Sequence, residues 1–273
     1  MASSALTASS AAAAFARRAS TNRRRRAVAP TTTRAAYGTS STDATWRENP
    51  TNAFGSLINI AKGQREIVQA GTPCLREIAE EVPLSSIDTA KTQELIQEML
   101  SICRGRGVGL AAPQIGVPYR IFVLEDTEEG MSDVSKKDLE AMDRKPFAAK
   151  VVINPVVTPV SNLSAAFFEG CLSVHGCFAL VPRALRCTVR ALDRQGVPVV
   201  IEASGWKARI LQHEVDHLNG TLFLDRMHSR TFTNEDLLDT AFIPPDCPPK
   251  GDADADGNPT AAGLPLEGDN DAP

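Results

Sequence analysis

The chain has 273 residues, 42% of them apolar, and a formal net charge of −4. No apolar run approaches the ~20 residues that span a bilayer. Residues 1–40 carry seven arginines and no acid, leaving 22 basic against 33 acidic residues elsewhere, which excludes the basic footprint of a nucleic-acid-binding domain.

In chain order, residues 1–40 have the Ala/Ser/Thr/Arg composition of an organellar transit peptide. Their first charge is Arg17; a mitochondrial leader places arginine earlier, so the segment points to a plastid, with the mitochondrion as alternative. Residues 41–61 read as a linker. Asp88 to Cys103 reads as a helix, with Leu95, Ile96, Met99, Leu100 and Cys103 on one stripe, Asp88 as its cap and Gly105 past its end. A glycine-punctuated loop follows at 107–116. Tyr119–Leu124, Lys150–Asn154 and Leu163–Phe168 read as strands, with an irregular charged insertion at 125–149 holding about one helical turn. Cys187–Leu192 and Val197–Ala203 flank the turn signal Asp193-Arg-Gln-Gly196 and read as a hairpin. From Trp206 to Gly220 the pattern is helical, with Ile210, Leu211, Val215 and Leu218 inward and Gly220 as the C-terminal stop. The tail 246–273 has seven acids, five prolines and no aromatic residue, a composition that buries no core and reads as disordered. The expected architecture is a single α+β domain over residues 62–245.

The last helix carries His213-Glu-Val-Asp-His217. Residues four apart share a helix face, so both imidazoles can reach one metal ion, and Glu214 stands beside the open position to handle the protons of a water. A catalytic site of this kind needs a third protein ligand. The residues after His217 supply no obvious one, and His228 reads as a surface histidine. Upstream, Cys171 is a candidate; taken alone it is better explained as a buried thiol. None of the six cysteines forms a CxxC pair, which argues against a disulfide framework or a four-cysteine zinc site. Gln114 is a neutral amide able to donate to a developing oxyanion.

GVGLAAPQIG (107–116), EGCLS (169–173) and QHEVDHLNG (212–220) stand in one order and spacing, and together they resemble the peptide deformylase family over about residues 65–235. FFEGCLSV and ASGWKARILQHE further resemble its eukaryotic organellar branch, especially the mitochondrial-type members. The resemblance implies an α+β fold with antiparallel strands around a central HExxH helix. It implies removal of the formyl group from the N-terminal methionine of nascent organelle-made proteins, with only transient proximity to the ribosome. Cys171, His213 and His217 would bind the metal, ferrous iron in this family, although the donor set also suits zinc. Glu214 would be the general acid and base, and Gln114 and the Leu172 N–H would stabilise the oxyanion. Gly109 would bind the peptide, Val108 and Leu110 would flank a methionine pocket, and Glu169 would support the ligand set from behind. Relatives carry an arginine seven residues after the cysteine, paired with that glutamate. Here the position is Phe178, so Glu169 would turn to Arg183 or another donor. His175 and Cys177 read as pocket-rim residues. Three rival readings are an HExxH endopeptidase, a non-catalytic metal-holding or ribosome-associated module, and a cysteine-nucleophile enzyme built on Cys171.

Overall fold

The computed structural model describes residues 65–160 and 163–244, and the backbone of 251–253 and 259–261. The leader at 1–40, the linker at 41–61 and most of the acidic tail lie outside the described residues.

A one-turn helix, Leu84–Ile87, precedes the first long helix, α1 (Ala90–Cys103). Thr89 caps α1, its hydroxyl accepting from Thr92 N–H, and Asp88 instead closes the preceding turn. The backbone explains this correction: Thr89 is extended, as an N-cap must be, whereas Asp88 still has ψ near 6°. Strand β1 (Gly109–Ala111) and a 3₁₀ turn (Ala112–Ile115) occupy the glycine loop. Then come β2 (Ile121–Asp126), β3 (Phe147–Pro159), β4 (Ser164–Cys171), β5 (Val174–Ala184), β6 (Arg186–Leu192) and β7 (Pro198–Ser204). Helix α2 (Gly205–Leu218) follows, with β8 (Thr233–Asn234) near the end of the domain. The insertion between β2 and β3 holds a 3₁₀ turn (Glu129–Met131) and a short helix (Lys136–Ala141).

The strands form an antiparallel five-stranded sheet, β1-β2-β3-β6-β7, and an antiparallel three-stranded sheet, β4-β5-β8. β2 shows how the larger sheet is covered. Its side chains alternate between faces, so Ile121 and Val123 pack with Ile96, Met99 and Ile102 of α1. Phe122 and Leu124 pack with Leu211, Val215 and Leu218 of α2. Both faces are apolar, which is why this strand reads as a continuous run rather than an alternation. Gly220 ends α2 as expected, with φ of +70°. A Cβ there would lie 2.6 Å from the Arg76 carbonyl oxygen, so only glycine fits the exit.

Each sheet ends in two edge strands, and one from each meets at a cleft. β1 borders the five-stranded sheet and β4 borders the three-stranded one, and residues of both line one cleft against α2. Within the tail read as disordered, β9 (Gly251–Ala253) and β10 (Pro259–Ala261) pair as a short antiparallel ladder. The ladder's hydrogen bonds are made by backbone groups, which any composition supplies.

Candidate active site

The helical spacing of α2 assembles much of the site. Positions 213 and 217 share a face, and their rings meet edge-on with centroids 5.0 Å apart. β4 ends at Cys171 beside them. Its Sγ lies 3.2 Å from His217 Nε2, and candidate ligand atoms from Cys171, His213 and His217 all fall within 4.8 Å of one another. One sulfur and two imidazoles from two different elements thus converge at a buried point.

His213 Nδ1 contacts Glu169 Oε2 at 3.0 Å, which leaves Nε2 for the centre of the group. Glu169 is buried and takes Arg183 as a fork, Nε at 3.0 Å and Nη2 at 2.9 Å, with Arg209 Nη1 at 2.6 Å. Arg183 also bonds Asp216, which Arg226 grips from outside at 2.7 and 2.8 Å. Burial alone would raise the Glu169 carboxyl, but Arg183, the His213 bond and Arg209 outweigh it and hold the group well below the usual carboxylate range. With Phe178 where relatives place an arginine, Glu169 is therefore served by Arg183, as expected, and by Arg209, which the sequence reading missed. Arg209 lies one turn before His213 on the same helix face, and that spacing was the available signal.

Phe178 has a different place. It is buried, lines the cleft and covers Gly170, where a Cβ would come within 2.4 Å of its ring. His175 is exposed and Cys177 packs among Cys74, Val68 and Met227. Neither lines the cleft, because alternation along β5 turns position 178 to the cleft and 177 away. His228 is half-buried rather than on the surface, and its Nε2 is buried without a hydrogen-bond partner among the described residues. It stays inside because its N–H donates to Leu180 O, tying it beside β5.

Gln114 is buried on the 3₁₀ turn. Its Oε1 accepts from Ala111 N–H at 2.8 Å, which aims Nε2 at Cys171 Sγ (3.5 Å) and Ser173 Oγ (3.3 Å). Glu214 is buried beside Gly109, and its Oε2 has no hydrogen-bond partner among the described residues. Burial pushes its carboxyl up to about 7; His213 opposes the shift and Glu169 adds to it. A buried carboxyl near neutrality, with one oxygen uncommitted, suits proton transfer.

The cleft encloses about 560 Å³, its mouth included, and is lined by Val108, Gly109, Gln114, Cys171, Leu172, His213 and Glu214 together with apolar Phe168, Trp206 and Ile210. Leu110 is not among the lining residues. It is fully buried in the core against α1, since alternation on β1 sends 110 to the face opposite Gly109. Trp206 and Ile210 were missed as lining residues, yet they sit four apart on α2 and lead to Glu214 by the same step.

The comparisons agree with this geometry. A model of the family described as "Polypeptide deformylase" matches residues 64–233. The chain is 50% identical over 175 residues to "Peptide deformylase 1A, chloroplastic" of Solanum lycopersicum, covering 64% of this chain and 63% of that one. It is 51% identical over 175 residues to "Peptide deformylase 1A, chloroplastic/mitochondrial" of Arabidopsis thaliana, covering 64% and 65%. It therefore spans a little under two thirds of the length of these relatives. Among solved structures, a Met-Ala-Ser-bound class I type b peptide deformylase from Acinetobacter baumannii matches with a TM-score of 0.54 and 31% identity, covering 61% of this chain and all of that one. A family match across more than half of the chain, on a site with this arrangement, establishes that the chain belongs to the polypeptide deformylases.

Proposed function

We propose that the protein is a metal-dependent peptide deformylase, which hydrolyses the N-formyl group from the N-terminal methionine of nascent organelle-made proteins to give formate and a free amine. The observation that carries this reading is the convergence of Cys171, His213 and His217 within 4.8 Å beside a buried Glu214 and Gln114.

The donor set fits a divalent ion. It offers one sulfur and two imidazoles, with His213 Nδ1 already committed to Glu169, and three ligands leave a position open. The family resemblance favours Fe2+, with Zn2+ as the alternative. When bound, such an ion supplies Lewis acidity that lets water ionise near neutral pH.

The protein's own groups do the rest. Glu214 accepts the proton of the attacking water and returns it to the departing methionine nitrogen, so that the formyl C–N bond breaks with no net proton change on the enzyme. Gln114 Nε2–H and the Leu172 N–H donate to the oxygen of the tetrahedral intermediate. Gly109, at the free edge of β1, bonds the extended peptide backbone, as an unpaired strand edge is suited to do. Val108, with Trp206 and Ile210, gives the methionine side chain an apolar wall.

The partner is a formylated nascent chain, met in transient proximity to the ribosome, with no direct nucleic-acid or membrane contact. No helix of the described residues is long and apolar enough to cross a membrane. We place the protein in an organelle, the plastid stroma first and the mitochondrion as alternative; the names of the two plant relatives and the basic leader support this. The decisive variant is Glu214→Gln. It is expected to keep its metal while losing turnover of formyl-Met-Ala-Ser by about 10²–10⁴-fold. Normal turnover refutes the role given to Glu214, and cleavage of internal bonds in unformylated peptides instead would identify an endopeptidase.

A further inference from the structure

The segment Ile67–Ala70 passes outside the cleft and is bonded to both loops that carry the oxyanion donors. Val68 N–H donates to Gln114 O at 2.9 Å, and Ala70 N–H donates to Ser173 O at 2.7 Å. Between them, the exposed Gln69 turns its amide onto the second loop: Nε2 donates to Leu172 O at 3.0 Å, and Oε1 accepts from His175 N–H at 3.3 Å. The loop held in this way is the tight turn joining β4 to β5, with Leu172 and Ser173 at its corner. A peptide N–H points where its neighbouring peptide planes direct it; Ser173 is held by its own bonds to Gln114 and Cys171, whereas the Leu172 carbonyl is bonded by the Gln69 side chain. Leu172 is also only half-buried, so packing alone does not fix it. The segment itself is anchored upstream by Arg65, whose N–H donates to Glu98 Oε1 at 2.8 Å.

We propose that Gln69 is a positioning residue for the oxyanion site: by clamping Leu172 O and His175 N–H, it sets the orientation of the Leu172 corner relative to Gln114. It touches neither substrate nor ligand set. Its effect is on the transition state, because the Leu172 N–H bonds the oxygen more strongly as charge develops there. This inference rests on the deformylase reading.

The full-length metal-loaded protein is assayed on formyl-Met-Ala-Ser as wild type, Gln69→Ala and Gln69→Glu. Glutamate keeps the acceptor for His175 N–H but loses the donor to Leu172 O. Both variants are expected to lower kcat about ten-fold, less than the ~10²–10³ that follows outright loss of an oxyanion donor. KM, affinity for the product Met-Ala-Ser, metal content and Tm are expected to stay near wild type. Hydrogen exchange of the His175 amide, which donates to Gln69 Oε1, is expected to quicken in Gln69→Ala and to stay slow in Gln69→Glu. The proposal is overturned if kcat remains within two-fold of wild type, or if kcat falls together with metal content and Tm, which marks general loosening. A wild type inactive on formyl-Met-Ala-Ser would instead sink the deformylase reading, so the two failures are distinguishable.

Discussion

A methyl group added at Gly109 would stand 2.2 Å from Glu214 Oε1. Glycine is required there by the carboxylate, not by its backbone, since Gly109 has an ordinary negative φ. Gly109→Ala is therefore expected to displace Glu214 while sparing the ligand set, since the nearest atoms to a Cβ there all belong to Glu214. Misplacement of a catalytic group by about 1 Å costs on the order of 10²-fold in rate, so kcat should fall by that order with bound metal unchanged. Parallel kcat and metal measurements check this, and wild-type kcat would mean that Glu214 has room to move. The residues with local signatures were legible from the sequence: His213, Glu214 and His217 follow one helical spacing, and Cys171 and Gln114 sit in recognisable loops. Leu110 was misassigned because a three-residue strand does not announce which face its side chains take. Arg209 looked like any helix arginine until Glu169 of β4 was brought against it.

At the scale of elements, the hairpin β4–β5 and helix α2 are locked by charge. Glu169 and Arg183 come from the hairpin and Arg209, His213 and Asp216 from the helix, all within one largely buried group. Removing one partner leaves uncompensated charge, so Glu169→Gln is expected to cost about 3–5 kcal/mol at pH 7. The pH dependence follows from the depressed Glu169 carboxyl. Its contribution is complete above the unfolded value near 4.5 and is lost as pH falls through the lower folded value. Urea midpoints of wild type and Glu169→Gln should thus converge as pH drops below about 4.5; a gap that stayed constant would contradict this account. The helices and the β6–β7 hairpin were legible because their periodicity and turn chemistry are local. β5 was missed as a strand because Gly176 and Pro182 interrupt it. Pro182 is tolerated because β8 pairs only with Cys177 and Phe178, leaving β5 single-sided at 182.

Across the whole molecule, the three candidate ligands tie the edge strand of one sheet to a helix lying on the other. An ion bound only by the folded chain stabilises it by about 2.7 kcal/mol at a hundred times Kd. For a domain of this size that corresponds to a rise in Tm of about 5–10 °C. Chelation is expected to lower Tm by that amount and re-addition of Fe2+ or Zn2+ to restore it, as read by calorimetry; an unchanged Tm would argue against these ligands. The same arrangement bears on how the protein reaches its working form. Cys171 and His213 are neighbours only after the hairpin has docked on the helix, so an extended chain holds no preformed three-ligand site. On the proposed reading, in which residues 1–40 direct the chain through an organelle envelope as an unfolded thread and the folded site holds a metal, the protein crosses before that site exists. Its activity would then begin with the organelle's own supply of the ion, making metal availability at the destination the event that switches each new copy on.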